Sequence, residues 1–248
     1  MSSSKLRGIV WLCLGIVIAG VFAAGLSYSI AQIPWSYEKK LASKLGLPTG
    51  ELVCPKNAAL TKLVARIYPI DPEDQKFDID VKVLRGDVVN AFAFVGGQIF
   101  IYEGLLREAE SADEIAGILA HEIAHVSRRD VLQGLATRLL TLASLQMIFG
   151  SGSDSGLLNY ALNMRFTRTQ EKEADEAGLK RLKVASVNPL GLANFFDRLE
   201  KLSTIPGFLS DHPPGGERAV DARKILVENP IEILSREEWL SLKKVCHD

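Results

Sequence analysis

Cysteine is scarce. Three residues in a chain of 248 exclude a disulfide-dense mini-protein, and the composition as a whole excludes a disordered polar chain or a collagen-like repeat. An excess of either charge is also missing. Lys and Arg total 29 against 30 for Asp and Glu, so no bulk basicity points to nucleic acid, and none is expected as a partner. Histidine is rarer than chance arrangements need: only His121, His125, His212 and His247 occur. No internal repeat is visible. Charge is wholly absent from Gly8 to Tyr37, and there the lack becomes a signal.

The centre of that stretch, residues 8–26, reads GIVWLCLGIVIAGVFAAGL. About 20 apolar residues in a helix cross a hydrocarbon layer of about 30 Å. Residues 1–33 are therefore expected to form a single N-terminal transmembrane anchor, with Trp11 and Trp35 near its two interfaces. A cleaved signal peptide is the rival, with small residues at Ala23 and Gly25 or at Ser29 and Ala31, but its apolar region is usually shorter. Lys5 and Arg7 precede the span while Lys39, Lys40 and Lys44 follow it, so the orientation signal is weak. A short basic head favours a bulk domain outside the cytoplasm. Cys54 and Cys246 would suit one bridge in an oxidising compartment, or remain two separate thiols.

Beyond the anchor, residues 34–76 read as a proline-punctuated linker leading into a first amphipathic helix, in which Leu60, Leu63, Val64 and Ile67 share a face. The period then changes to two. FDIDVKVL (77–84), VVNAFAF (88–94) and QIFIY (98–102), separated by Arg85-Gly86-Asp87 and Gly96-Gly97, predict a small antiparallel sheet of sequential hairpins. Ser111 followed by Glu114 predicts a capping box opening a helix through Arg129, with Ile115, Ile118, Leu119 and Val126 on its core face. Residues 131–149 are apolar, but Gln133, Arg138 and Gln146 favour a buried amphipathic helix over a second span. Residues 150–156 read as a flexible loop. Helices are expected over 157–182 and 190–202, with a terminal one from about Glu217. The fold class is α+β: a mostly helical domain over 77–248 with a small sheet.

Chemistry concentrates in His121-Glu122-Ile123-Ala124-His125. Residues four apart leave one face of a helix about a turn apart, so both imidazoles can reach one metal ion. Glu122, beside the first ligand, is placed to serve a water activated by that metal, which makes HExxH on a helix a zinc-hydrolase signature. A polar helix face with two chance histidines is the bland reading, and the apolar flanks weigh against it. A catalytic zinc wants a third protein ligand and one open position, whereas a structural zinc closes all four. Arg128 and Arg129 occupy the place where a metzincin extension would begin. A carboxylate from a second helix is the alternative: Glu171 and Asp175, also four apart, share a face. Glu171 is then the ligand, and Asp175 takes the other ring N–H of a ligating histidine. A solvent-facing charge run is the competing explanation of this segment.

Thr167-Arg168-Thr169-Gln170-Glu171-Lys172-Glu173-Ala174-Asp175 resembles the [ST]-R-x-x-E-x-x-A-D signature of the M48 zinc metallopeptidases, the group that includes HtpX-, Ste24-, OMA1- and BepA-like proteins. Asn90-Ala91-Phe92-Ala93, continued by Gly96-Gly97, resembles the family's N-A-F-A-x-x-G-G stretch, and Asp211-His212-Pro213 with Arg218 resembles its downstream H-P and Arg. The likeness spans about residues 77–220; the multi-span architecture of HtpX and Ste24 is not matched. It implies a zincin-like domain holding one zinc ion through His121, His125 and Glu171, with Glu122 as general base and acid. His212 and Arg218 are implied oxyanion partners, or His212 caps the metal at rest. Asn90, Ala91, Phe92 and Ala93 are implied as the edge that binds substrate, an ordinary core strand being the other reading. The implied activity is endoproteolysis of unfolded or misassembled proteins, by a single-pass bacterial inner-membrane protein with a periplasmic peptidase domain. The alternative is a chaperone or assembly factor of the same fold with latent activity. Oligomeric state is not legible.

Overall fold

A computed structural model describes residues 25, 28–30, 32–45, 50–70, 72–149, 165–201, 212 and 218–247. Of the anchor expected over 1–33 only residues 25, 28–30, 32 and 33 are among them; the expected loop at 150–156 and residues 157–164 of the helix expected over 157–182 lie outside. Among the described residues no helix is long and apolar enough to cross a membrane. The chain divides into two units, Met1–Pro34 and Trp35–Asp248.

The second unit begins with α1 (Trp35–Lys44) and α2 (Ala58–Ile67). Asn57 caps α2, its side chain accepting from the amides of Ala59 and Leu60, and Leu60, Leu63 and Ile67 are buried on one face as expected. The strands β1 (Asp80–Leu84), β2 (Ala91–Ala93) and β3 (Gln98–Tyr102) come next in the chain. Their order is β1-β3-β2, with β1 parallel and β2 antiparallel to β3. The predicted all-antiparallel sheet is therefore corrected to a mixed one. Only the Gly96-Gly97 hairpin forms. Alternation marks strands but not their partners, and the segment between β1 and β2 carries the chain over β3 rather than back along β1. The first strand is also shorter than expected, because its pairing begins at Asp80 opposite Gln98, the first residue of β3; the Phe77 ring before it meets Trp35 edge-on at 5.1 Å.

Helices α3 (Glu103–Glu108), α4 (Ala112–Ser127) and α5 (Asp130–Phe149) succeed the sheet. The oxygen of Ser111 takes the amide of Glu114, but the Glu114 carboxylate turns to the amide of Glu110 and to Arg198, so only half of the predicted capping box forms. The expectation of a single core face on α4 also fails. Every residue from Glu114 to Val126 is buried, because α4 is surrounded by β2, α2, α6 (Arg168–Val184) and α7 (Leu190–Lys201). The α4–α6 crossing is close because Gly178 sits there: a Cβ on it would lie 3.1 Å from the His121 amide nitrogen. The expected terminal helix is two, α8 (Arg218–Lys224) and α9 (Arg236–Lys243). Cys54 and Cys246 are disulfide-bonded, tying the approach to α2 to the chain's other end.

Candidate metal centre

Three separate stretches converge on the middle of α4. The helix presents His121, Glu122 and His125, all essentially inaccessible to solvent. α6 starts at a true capping box, with Thr167 and Gln170 bonded reciprocally, and its first turn delivers Glu171 to the same point. One turn on, Asp175 reaches His121. His212 arrives from the segment after α7. One ligand atom from each of His121, His125, Glu171 and His212 lies within 4.8 Å of the others.

The outer ring nitrogens fix the protons. Nδ1 of His121 lies 2.8 Å from Oδ1 of Asp175, and Nδ1 of His125 lies 2.8 Å from Oδ2 of Asp130, the first residue of α5. A carboxylate can only accept, so each neutral ring carries its hydrogen on Nδ1 and turns a lone pair inward from Nε2. The two Nε2 atoms are 3.0 Å apart. Glu171 oxygens sit 3.6 Å from each of them. Nδ1 of His212 is 3.2 Å from Nε2 of His121 and 2.9 Å from Oε1 of Glu171. Acceptors aimed at acceptors in a buried space repel unless a cation lies among them. Metal–ligand bonds of about 2.0–2.1 Å in a tetrahedron give ligand–ligand edges of about 3.3–3.4 Å, close to the spacing here. The donor set and its geometry thus fit one small divalent metal, with His212 at the fourth corner.

The electrostatics reflect the carboxylates around the imidazoles. Burial works against a charged His125, but the Asp130 and Glu171 carboxylates beside it prevail and raise its pKa. Burial would likewise raise Glu171, yet its contacts with His125 and His212 hold it well below the usual carboxylate range. The carboxylates of Asp130 and Glu171 thus favour positive charge on the imidazole between them, a place a metal ion would take from the proton. The Phe166 ring stacks on His125 at 3.8 Å and 13°, covering the imidazole from one side.

Glu122 is not among the four. Its Oε2 accepts the amide of Ala93 at 2.7 Å, and its Oε1 faces Nε2 of His212 at 3.4 Å. The carboxylate is seated between the sheet and the metal cluster. β2 is an outer strand of the sheet. Phe94 and Asn90 bond to Gln98 and Tyr102 across the ladder, so the backbone groups of Ala91 and Ala93 face away from β3. Asn90, Ala91, Phe92 and Ala93 are nonetheless buried, and the Phe92 ring packs on Phe100 at 5.3 Å. The strand is at once an edge and part of the core. Arg218 opens α8, but its side chain lies outside the described part. His247 pairs with Glu103 and takes no part in the cluster.

Asp130 and Phe166 escape a reading of the sequence. Asp130 follows two arginines at a helix junction and reads there as a charged break. The rule that a ligating histidine needs an acceptor on its other nitrogen is the one signal able to find it. Nothing in the sequence marks Phe166.

The sequence model of peptidase family M48 matches residues 56–226. The chain is 33% identical over 162 residues to the beta-barrel assembly-enhancing protease of Yersinia pestis, covering 57% of this chain and 33% of that protein. It is 34% identical over 156 residues to metalloprotease LoiP of Escherichia coli, covering 58% and 62%. With the mitochondrial metalloendopeptidase OMA1 of Schizosaccharomyces pombe it shares 29% over 196 residues, covering 75% and 53%. The chain spans about a third of the length of the first of these relatives.

Proposed function

Because the chain belongs to peptidase family M48, we propose that it is a zinc-dependent endopeptidase of the bacterial envelope. In this reading residues 1–33 anchor it in the inner membrane, 34–76 lead out of the anchor, and 77–248 form a periplasmic peptidase domain. The carrying observation is the meeting of His121, His125 and Glu171 with the buried Glu122 carboxylate beside them. These three side chains would hold the zinc, which when bound supplies Lewis acidity that makes water a nucleophile near neutral pH. Glu122 takes the proton of the attacking water and passes one to the departing amine. The Ala93 amide holds one oxygen of Glu122, leaving the other for that proton. Asp175 and Asp130 keep the ring protons on the outer nitrogens.

An extended polypeptide would add to β2, pairing with the backbone of Ala91 and the carbonyl of Ala93, whose amide is taken by Glu122, while Asn90 and Phe92 hold the strand to β3. Unfolded or misassembled envelope proteins fit this mode, because only an extended chain presents its backbone to an edge. The name of the Yersinia relative, a protease enhancing beta-barrel assembly, supports that substrate class. The Cys54–Cys246 bond supports an oxidising compartment. A catalytic site needs an open position, and His212 stands where that position belongs. His212 is therefore read as a gate that must leave, with Arg218 the remaining candidate for the oxyanion. The same observation favours a second reading, a chaperone or assembly factor whose proteolysis is latent.

The test compares wild type with Glu122→Gln on casein, with zinc measured in both. Loss of cleavage with zinc retained supports the assigned role. Equal cleavage by both proteins removes Glu122 from it. A metal-free wild type that cannot be loaded ends the zinc reading.

A further inference from the structure

The family match begins at residue 56, yet α1, which precedes it, places a buried acid against the turn after the catalytic helix. Glu38 is 3% exposed. Its Oε2 accepts from Nε of Arg129 at 3.0 Å, and its Oε1 accepts the amide of Gly96 at 3.1 Å. Burial pushes the Glu38 carboxyl up, against the Gly96 amide and the Arg129 guanidinium that lower it. An isolated buried carboxyl is costly, and this one is compensated by the guanidinium and the amide it bonds.

Both partners lead to the metal centre. Arg129 follows the C-terminal cap of α4 and has φ +58°, a left-handed conformation that disfavours residues other than Gly, Asn and Asp by about 1 kcal/mol. Its amide closes on the Val126 carbonyl at 2.9 Å. That turn swings the chain so that the next residue, Asp130, meets Nδ1 of His125. Glycine would make the turn without strain but has no side chain to fasten. Arginine fastens it, through Glu38 and beneath the Trp35 ring, whose centre is 5.9 Å from the guanidinium carbon. Gly96 sits in the turn joining β2 to β3, at φ +74°. Its neighbour Gly97 cannot carry a Cβ, which would fall 1.9 Å from the Asp78 carbonyl. β2 carries the Ala93 amide that holds Glu122. One carboxylate thus braces the turn that orients a metal ligand and the hairpin that seats the general base.

We infer that Glu38 is a positioning residue for the metal centre, acting through Arg129 and Asp130 on His125 and through Gly96 on the β2 strand. The helix after the N-terminal segment is then a working part of the site. The inference rests on the zinc-peptidase reading above.

The experiment uses the full chain in three forms: wild type, Glu38→Gln, and the double variant Glu38→Met with Arg129→Met. Glutamine keeps the size but turns an amide toward Arg129. The methionine pair removes both charges together, which is often neutral for stability where removing one partner is not. Zinc affinity is read by chelator competition, at a temperature where near-ultraviolet circular dichroism shows all three folded. kcat and KM on a peptide substrate are then taken at saturating zinc. Outer-shell partners of a metal site typically change affinity about 10–100-fold. Both variants are expected to bind zinc about 10-fold more weakly, with kcat falling by more than KM rises. Wild-type affinity and kcat in either variant would overturn the inference and leave the pair a stabilising contact. A wild type that neither binds zinc nor cleaves would instead overturn the peptidase reading.

Discussion

Asp130 and His125 lie five positions apart on two different helices, yet Oδ2 of one is 2.8 Å from Nδ1 of the other. The contact completes a symmetry: each α4 histidine has its own carboxylate, Asp175 from α6 for His121 and Asp130 from α5 for His125. Each acid fixes a tautomer and aims an imidazole. Asp130→Asn keeps the shape and one acceptor but gives up the charge. Zinc affinity by chelator competition, read at a temperature where the zinc-free variant is still folded, is expected to fall about 10–100-fold. Asp175→Asn should act in the same range. An unchanged dissociation constant in both would mean that neither carboxylate tunes the site.

Most of the candidate cluster is legible in the sequence, because residues at helical spacing share a face in any tertiary context. His121, His125 and Glu171 need only the period of a helix and the donor requirements of a metal. What the sequence withholds are relations between segments. β1 pairing with β3 in parallel, α4 being buried on all sides, and Glu114 turning from its cap to Arg198 depend on what packs where. Local pattern carries no such information. Glu38 and Asp130 are hidden for a related reason: each reads as one more charge on a short polar stretch until its partner is in view.

His212 gives a prediction of opposite sign for its two roles. It occupies the fourth corner of the cluster, 2.9 Å from Glu171, and faces Glu122 at 3.4 Å. As a gate it blocks the position where water must bind. His212→Ala should then raise basal casein cleavage several-fold while the zinc content stays at one per chain. Reduced cleavage would favour a part in stabilising the oxyanion, and no change would retire both roles.

The bond between Cys54 and Cys246 joins residues 192 apart. Closing a loop of that length in the unfolded chain is worth about 5 kcal/mol by chain entropy, and measured disulfides usually give about 2–4. Reduction, or Cys54→Ser with Cys246→Ser, is therefore expected to lower the urea midpoint clearly and to steepen the slope, because the released unfolded chain exposes more surface. Coincident unfolding curves with and without reductant would show that the bond adds nothing.

The N-terminal turn of α4 carries an acid in an unfavourable place. Burial, with Glu114 and Glu232 nearby, pushes Asp113 from 3.8 to about 6. The folded protein thus holds this proton to higher pH than the unfolded chain does. Between about pH 4 and pH 6 the native state binds more protons, so stability is lost as pH rises through that window and stays lost above it. Asp113→Asn removes the liability. After discounting for solvent screening, the variant should be about 1–2 kcal/mol more stable than wild type at pH 7. The gain should shrink toward zero near pH 4, because wild-type Asp113 is then neutral in the folded protein as well. Urea unfolding of both proteins at the two pH values measures it. A gain that is the same at both would show that the side chain's shape, not its charge, sets the difference.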